Sequence, residues 1–354
     1  LLLIFTFIIK LFVYRIDRIF GIFFIFQTCI GFMGNSLLFT LYMYTFLILP
    51  HKKKPVDVIL AHLTLANALT LIFRGVPNIM SSFGIKLEMS DTGCKIVLYI
   101  QRVTRSISLC TTALQSTFQA VTITPSNHKW AWLKKKISTF IQPSLLFFWT
   151  INMAIYSVII LKTVARRNTT EGGIGYYTAS CKSSAYDLQT SSIFLSTVFI
   201  RDLFFLSLMT CNSIYMVNIL FRHHRKAQHI RSTIQSSQSS PENKATHVIL
   251  ILVSCFFFFY WTNTFFTVYL VYLAKKNYQL EKFSNFFSSC YPTICSFFLI
   301  KNENRISGIR LTLTLNKMMK YVKYVLIKLY SMLLHVRNMS YLVLKINIII
   351  NICI

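Results

Sequence analysis

Five ionisable side chains interrupt stretches of this sequence that are otherwise apolar: Arg74, Arg102, Arg105, Arg201 and Asp202. Charges inside apolar segments are costly, so each of them indicates a role in binding or pairing. Arg102 and Arg105 are three residues apart and share one face of a helix. Two interpretations stay open: these arginines present cationic donors to a small ligand, or one of them pairs with Asp202. The two are compatible if the ion pair forms the floor of a pocket.

Aromatic residues near these charges can supply the apolar part of such a pocket, since small-ligand sites are concave and chiefly apolar. We predict Phe199, Trp261 and Phe265 as lining residues, together with Arg102, Arg105 and Asp202. Aromatic side chains also face lipid or pack between helices. Packing is therefore the alternative role for each of the three aromatic residues.

Motifs for catalysis are missing from the sequence. It contains no His-Glu-x-x-His, no Gly-x-Ser-x-Gly and no phosphate-binding glycine loop. The clustered His223, His224 and His229 lie in a basic segment without a Cys or acidic ligand nearby, which favours a solvated cationic face over a metal site. We therefore predict a non-catalytic protein with no metal and no cofactor.

The composition is that of a membrane protein. Of 354 residues, 54% are hydrophobic and 13% are charged, whereas soluble domains carry roughly 25% charged residues. The net charge of +27 comes from 37 Lys and Arg against 10 Asp and Glu. We expect the lipid bilayer as a partner and no nucleic acid.

Seven stretches are long and apolar enough to cross the bilayer, which takes about 20 residues in a helix. We call them spans one to seven; they cover about 19–49, 57–85, 94–123, 137–161, 188–221, 246–274 and 282–301. The sequence thus predicts an all-α membrane protein, a seven-transmembrane helix bundle over 19–301. We interpret 1–18 as an N-terminal extension of doubtful origin and 302–354 as a C-terminal tail whose native status stays open.

The loops indicate the orientation of the bundle. The first, third and fifth loops are the more basic ones, which predicts that they are cytoplasmic. Asn168 begins an Asn-Thr-Thr glycosylation acceptor in the second outer loop. Cys94 and Cys181 also fall on the outer side, where an oxidising compartment lets them form a disulfide bond. We expect an extracellular N-terminus and a cytoplasmic C-terminus.

Local motifs from about 18 to 305 resemble those of one family, the vomeronasal type 1 receptors. They are Gly31–Asn35, His62–Asn67, Arg74–Pro77, Phe118–Pro125, Phe221–Ile230 and Ser239–Thr246. Single motifs are weak signals, but their combination is specific. Asp-Arg-Tyr after span three and Asn-Pro-x-x-Tyr in span seven are both missing from the sequence, as the pattern of this family leads one to expect.

The resemblance implies a fold of the G protein-coupled receptor type and a pheromone receptor in the plasma membrane. Such a protein binds a small organic chemosignal in an outward-facing cavity between spans three, five and six. It then activates a heterotrimeric G protein of the inhibitory type. The cytoplasmic residues expected to face the G protein are Lys134, Lys135, Arg222, Arg225 and Lys226.

Two features depart from the family pattern. Arg201 precedes the Asp of span five, where a neutral residue is usual, and the chain continues well beyond span seven. A non-functional diverged copy therefore stays open. So does a receptor resembling the bitter taste receptors, although their His-Ser pair in span seven is missing. A membrane transporter is the candidate from a different class of protein, although no segment is repeated.

Overall fold

The computed structural model describes residues 2–85, 89–124, 131–165, 181–183, 188–231, 254, 257–259, 261–262 and 278–303. The helices of spans one to five and seven are Leu2–Ile48, Pro55–Ser82, Asp91–Ile123, Ala131–Lys162, Leu188–Arg231 and Tyr278–Asn302. The described residues of span six, 254, 257–259 and 261–262, are helical. A short 3-10 turn, Pro50–Lys52, precedes span two.

Local capping explains where spans two and three begin. Pro55 occupies the first turn of span two, where its missing N–H costs nothing. The Asp57 carboxylate accepts the backbone N–H of Lys54 at 2.8 Å. At the start of span three, the Ser90 hydroxyl accepts the N–H of Gly93 at 3.2 Å. Side-chain oxygens at these positions satisfy amide donors that have no partner within the helix.

Spans two and three form the centre of the bundle. Span three contacts spans two, four and five, and span two contacts spans one, three, four and seven. In the described part of the chain, four helices are long and apolar enough to cross a membrane: Asp17–Ile48, Pro55–Ser82, Lys136–Leu161 and Ile193–Ile219. Of the 18 most apolar consecutive residues of each helix, 72% are buried in span two, against 17% in span four and 11% in span five. Span three is not one of these four helices, and most of its residues are buried.

Small residues let span one approach its neighbours closely. A Cβ atom added to Gly31 would lie 2.5 Å from the Thr293 hydroxyl and 2.8 Å from Leu71 Cδ1. One added to Gly34 would lie 2.6 Å from the Ser296 hydroxyl. Small residues at helix crossings of this kind are a common packing device in membranes. Polar contacts reinforce the crossing, since the Asn35 amide donates to the Pro292 carbonyl at 2.9 Å.

A two-stranded hairpin, which was not predicted from the sequence, lies beside the start of span three. The strands Thr163–Ala165 and Cys181–Ser183 pair antiparallel, with Ala165 opposite Cys181. Cys181 forms a disulfide bond with Cys94, in the first turns of span three. The disulfide predicted from the sequence is therefore confirmed, and it ties the hairpin to the central helix.

Candidate functional site

The floor of the candidate site is an apolar cluster in the middle of the bundle. Leu109 of span three, Leu206 and Met209 of span five and Tyr291 of span seven belong to one buried cluster. A hydrogen bond of 2.8 Å joins the Tyr291 and Thr112 hydroxyls within this region. The cluster therefore shows which faces of spans three, five and seven point into the bundle.

Arg105 and Asp202 both lie one helical turn from this floor, towards the end of the bundle that carries the Cys94–Cys181 disulfide. We call this direction outward. Arg105 precedes Leu109 by four residues, and Asp202 precedes Leu206 by four. Residues four apart lie on the same face of a helix, so both charged positions are on interior faces. Eleven residues separate Arg105 from Cys94, which corresponds to about 16 Å along the helix axis. The two opposite charges thus lie at a similar depth on two neighbouring helices.

Asp202 forms an ion pair with Arg201, its neighbour in the sequence. Arg201 Nη2 and Nε donate to Asp202 Oδ1 at 2.6 Å and 2.9 Å. The two side chains are only 11% and 14% exposed. Adjacent helical residues point about 100° apart, and it is the length of the arginine side chain that lets its guanidinium reach back to the carboxylate.

Arg201 also joins span five to span four. Its Nη1 donates to Asn152 Oδ1 at 2.7 Å, and its Nη2 donates to the Tyr156 hydroxyl at 2.9 Å. The guanidinium carbon lies 5.2 Å from the centre of the Tyr156 ring, within the range of a cation–π contact. Asn152 Oδ1 accepts a further hydrogen bond from Ser106 of span three. One polar network therefore connects spans three, four and five inside the apolar region.

Asn152 and Tyr156 were not among the residues predicted from the sequence. Both lie within the uncharged stretch of span four, and nothing in their spacing marks them out. The signal that could have found them is the mid-span amide of Asn152, because a polar side chain at that depth needs a partner on another helix. Arg201 of span five and Ser106 of span three are those partners.

The remaining predicted site residues lie further from the charged pair. Arg102 is half-buried, one turn outward of Arg105. Phe199 is one turn outward of Asp202 and 50% exposed. Trp261 is 42% exposed. Phe259 packs against the central cluster. Positions two apart in a helix point in different directions, so Trp261 is on another side of span six. Phe265 lies outside the described residues.

The residues predicted to be cytoplasmic lie at the start of span four and near the end of span five. Lys134 and Arg222 are exposed. Lys135, Arg225 and Lys226 fall on the same two helices. The predicted glycosylation site, Asn168, lies outside the described residues.

The register of spans three and five thus places two charged positions one helical turn from an apolar floor. In the described ranges, no group of three or more His, Cys, Asp or Glu residues could hold a metal ion. Several apolar, membrane-length helices packed around a polar third helix define a multi-pass membrane protein, a seven-helix bundle of the G protein-coupled receptor type.

Comparison with known proteins identifies the family. The profile of the vomeronasal organ pheromone receptor family matches residues 18–311. The chain is 35% identical over 291 residues to vomeronasal type-1 receptor 1 of Homo sapiens, covering 81% of each chain. It is 33% identical to vomeronasal type-1 receptor 3 of Homo sapiens, covering 82% of this chain and 93% of the relative. Olfactory receptor class A-like protein 1 of Danio rerio is 30% identical, with 81% and 90% covered.

The chain belongs to the vomeronasal organ pheromone receptor family, and the resemblance predicted from its motifs is confirmed. The family is one of receptors, which agrees with the prediction that the protein is not an enzyme.

Proposed function

We propose that the protein is a pheromone receptor that binds a small organic chemosignal in an outward-facing cavity between spans three, five and six. Arg105 and Asp202 carry this proposal, because they lie on facing interior helix faces one turn above an apolar floor. Arg102 and Phe199 are each one turn further out on the same two helices and extend the wall of the cavity. Trp261 and Phe265 are its proposed lining on span six.

The ligand acts by shifting an equilibrium between two conformers. It favours one of them only to the extent of its differential affinity for the two. The favoured conformer opens the inner ends of spans five and six to a heterotrimeric G protein of the inhibitory type. Exposed bases at these ends, Lys134 and Arg222, together with Lys135, Arg225 and Lys226, face the G protein and the anionic lipid of the plasma membrane.

Expression in cells with a promiscuous G protein tests the proposal. Urinary and steroidal fractions are applied, and the calcium response is measured against the surface level of an epitope-tagged receptor. A saturable response that uninduced cells lack supports the receptor function. Silence at proven surface expression contradicts it and favours a non-functional diverged copy.

A second arm tests the G protein. The same cells without the promiscuous subunit are assayed for a fall in cyclic AMP, with and without pertussis toxin. Loss of the response on toxin treatment supports the inhibitory type. A response that the toxin leaves intact rules out a G protein of the inhibitory type. It does not contradict the proposed ligand site.

A further inference from the structure

Arg201 lies on the side of span five that faces span four. Two other residues of this side, Phe194 and Phe205, stack edge-to-face on Tyr156 at 6.0 Å and on Phe148 at 5.4 Å between ring centres. Arg201 precedes Phe205 by four residues and follows Phe194 by seven, which is the spacing of one helix face. The guanidinium is therefore inserted between two helices in an otherwise aromatic contact.

Burial of a guanidinium in such a contact requires acceptors, because an uncompensated charge in an apolar region is strongly unfavourable. The acceptors come from two helices: Asn152 Oδ1 and Tyr156 Oη on span four, and Asp202 Oδ1 on span five. Asn152 is itself held by the Ser106 hydroxyl of span three and donates to the Phe148 carbonyl at 2.7 Å. Groups on span four therefore share in setting the position of the guanidinium.

Both contacts between Arg201 and Asp202 are made to the same carboxylate oxygen, Oδ1. Two charge-assisted bonds from one guanidinium to a single oxygen hold that oxygen close to the guanidinium. The orientation of the Asp202 carboxylate consequently depends on where span four holds Arg201.

We propose that Arg201 is a positioning residue: it anchors the Asp202 carboxylate to span four through Asn152 and Tyr156, and so sets the geometry of the ligand site without touching the ligand. The part that concerns the ligand rests on the proposed function. The anchoring itself does not, and it is tested separately.

The anchoring is tested by thermal unfolding of the purified full-length receptor. Arg201→Met leaves Asp202 buried without its guanidinium, and we expect the midpoint to fall by roughly 5 °C or more. The double variant Arg201→Met with Asp202→Asn recovers most of that fall, because the buried carboxylate charge is then removed as well. Lys52→Met, the loss of an exposed charge, is the matched control and is expected to change little.

Two results overturn the anchoring: a fall for Arg201→Met no larger than for Lys52→Met, or a double variant that melts as low as Arg201→Met alone. If Arg201→Met yields no folded protein, Arg201→Lys and Tyr156→Phe replace it. Lysine keeps the charge but not the planar fork, so the effects of these two changes are expected to be non-additive. Strict additivity contradicts the network.

The positioning role is tested by concentration–response curves at matched surface density, with a urinary or steroidal fraction that activates the unsubstituted receptor. Tyr156→Phe removes an acceptor of Arg201 at a place that the ligand does not reach. We expect it to raise the half-maximal concentration at least threefold, whereas Trp149→Phe on the same helix leaves it unchanged. Equal shifts overturn the positioning role. If the unsubstituted receptor gives no response, the result counts against the proposed function. The thermal unfolding of the variants then tests whether Arg201 anchors Asp202, independently of any ligand.

Discussion

At the scale of single residues, opposite charges in the apolar region are tolerated because their polar atoms have partners. Arg201 is the clearest case, with acceptors on Asn152, Tyr156 and Asp202. Its departure from the family pattern therefore does not by itself indicate a damaged protein. Hydrogen-bond acceptors around Arg201 stabilise its charge in the apolar region.

Neutralising Arg105 tests the ligand site directly. We expect Arg105→Gln to weaken the response about tenfold, which corresponds to about 1.4 kcal/mol, because a charged contact with the ligand is lost. Surface delivery, measured by flow cytometry of a tagged receptor, stays within about twofold of the unsubstituted level.

Lys95→Gln, in the first turns of the same helix, is the control and leaves the response unchanged. If Arg105→Gln reduces response and delivery equally, Arg105 has a folding role and the proposed contact is wrong.

A second residue-level prediction concerns the contact between Trp149 and His62. The Trp149 indole N–H donates to His62 Nδ1 at 3.1 Å, joining spans four and two. Interhelical hydrogen bonds in membranes average about 0.6 kcal/mol and reach about 1.7 kcal/mol. A thermal double-mutant cycle with Trp149→Phe and His62→Ala is expected to give a coupling in this range. A coupling of zero would mean that the contact adds nothing to stability.

Sequence reasoning singled out the charged residues of the proposed site but not the partners of Arg201. Arg105 and Asp202 stand out because charges are rare in apolar stretches. Asn152 and Tyr156 do not, since their importance depends on a helix contact between distant parts of the chain. The pairing of Arg201 with Asp202 was also missed, because adjacent helical positions normally diverge and only the long arginine side chain overcomes this.

At the scale of helices and strands, span one depends on small residues where it meets spans two and seven. We expect Gly31→Ala to destabilise the receptor by about 1–3 kcal/mol, since the new methyl overpacks a filled contact. Gly93→Ala is a matched control, because its Cβ meets no atom closer than 3.5 Å. Thermal unfolding of the two variants measures the difference. Equal midpoints would contradict the close crossing of span one.

The disulfide between Cys94 and Cys181 gives another prediction at this scale. It links positions 87 residues apart. We expect Cys94→Ser to lower the free energy of unfolding by about 2–5 kcal/mol, with the same loss for Cys181→Ser and for the double variant.

A reducing agent should lower the melting midpoint of the unsubstituted receptor more than that of the double variant, which no longer has the Cys94–Cys181 bond to lose. A larger loss in the double variant than in either single one would show that the cysteines act independently.

Helices were predictable from the length of apolar runs, but the hairpin of Thr163–Ala165 and Cys181–Ser183 was not. Three-residue strands produce no usable alternation in the sequence. Their pairing places Ala165 opposite Cys181, so the hairpin accompanies a disulfide that the sequence did indicate. The central position of span three was likewise hidden: its charged residues lower its hydropathy, and only the packing places it against spans two, four and five.

At the scale of the whole molecule, the uneven distribution of bases predicts the orientation in the membrane. A tag at the N-terminus is expected to be labelled by antibody on intact cells, and a tag at the C-terminus only after permeabilisation, because basic loops stay in the cytoplasm. Reversal of the pattern would place Lys134 and Arg222 outside and contradict the proposed G protein face.

The network around Arg201 also bears on how the molecule is made. Ser106, Asn152 and Tyr156 all precede Arg201 in the chain, so a ribosome delivers spans three and four before span five emerges. When the segment carrying Arg201 and Asp202 is inserted, the acceptors Asn152 and Tyr156 have already been synthesised. The Arg201 charge then does not depend on a later helix for these partners. Biogenesis in chain order therefore suits this receptor, and a gene rearranged to place span five first would be expected to insert poorly.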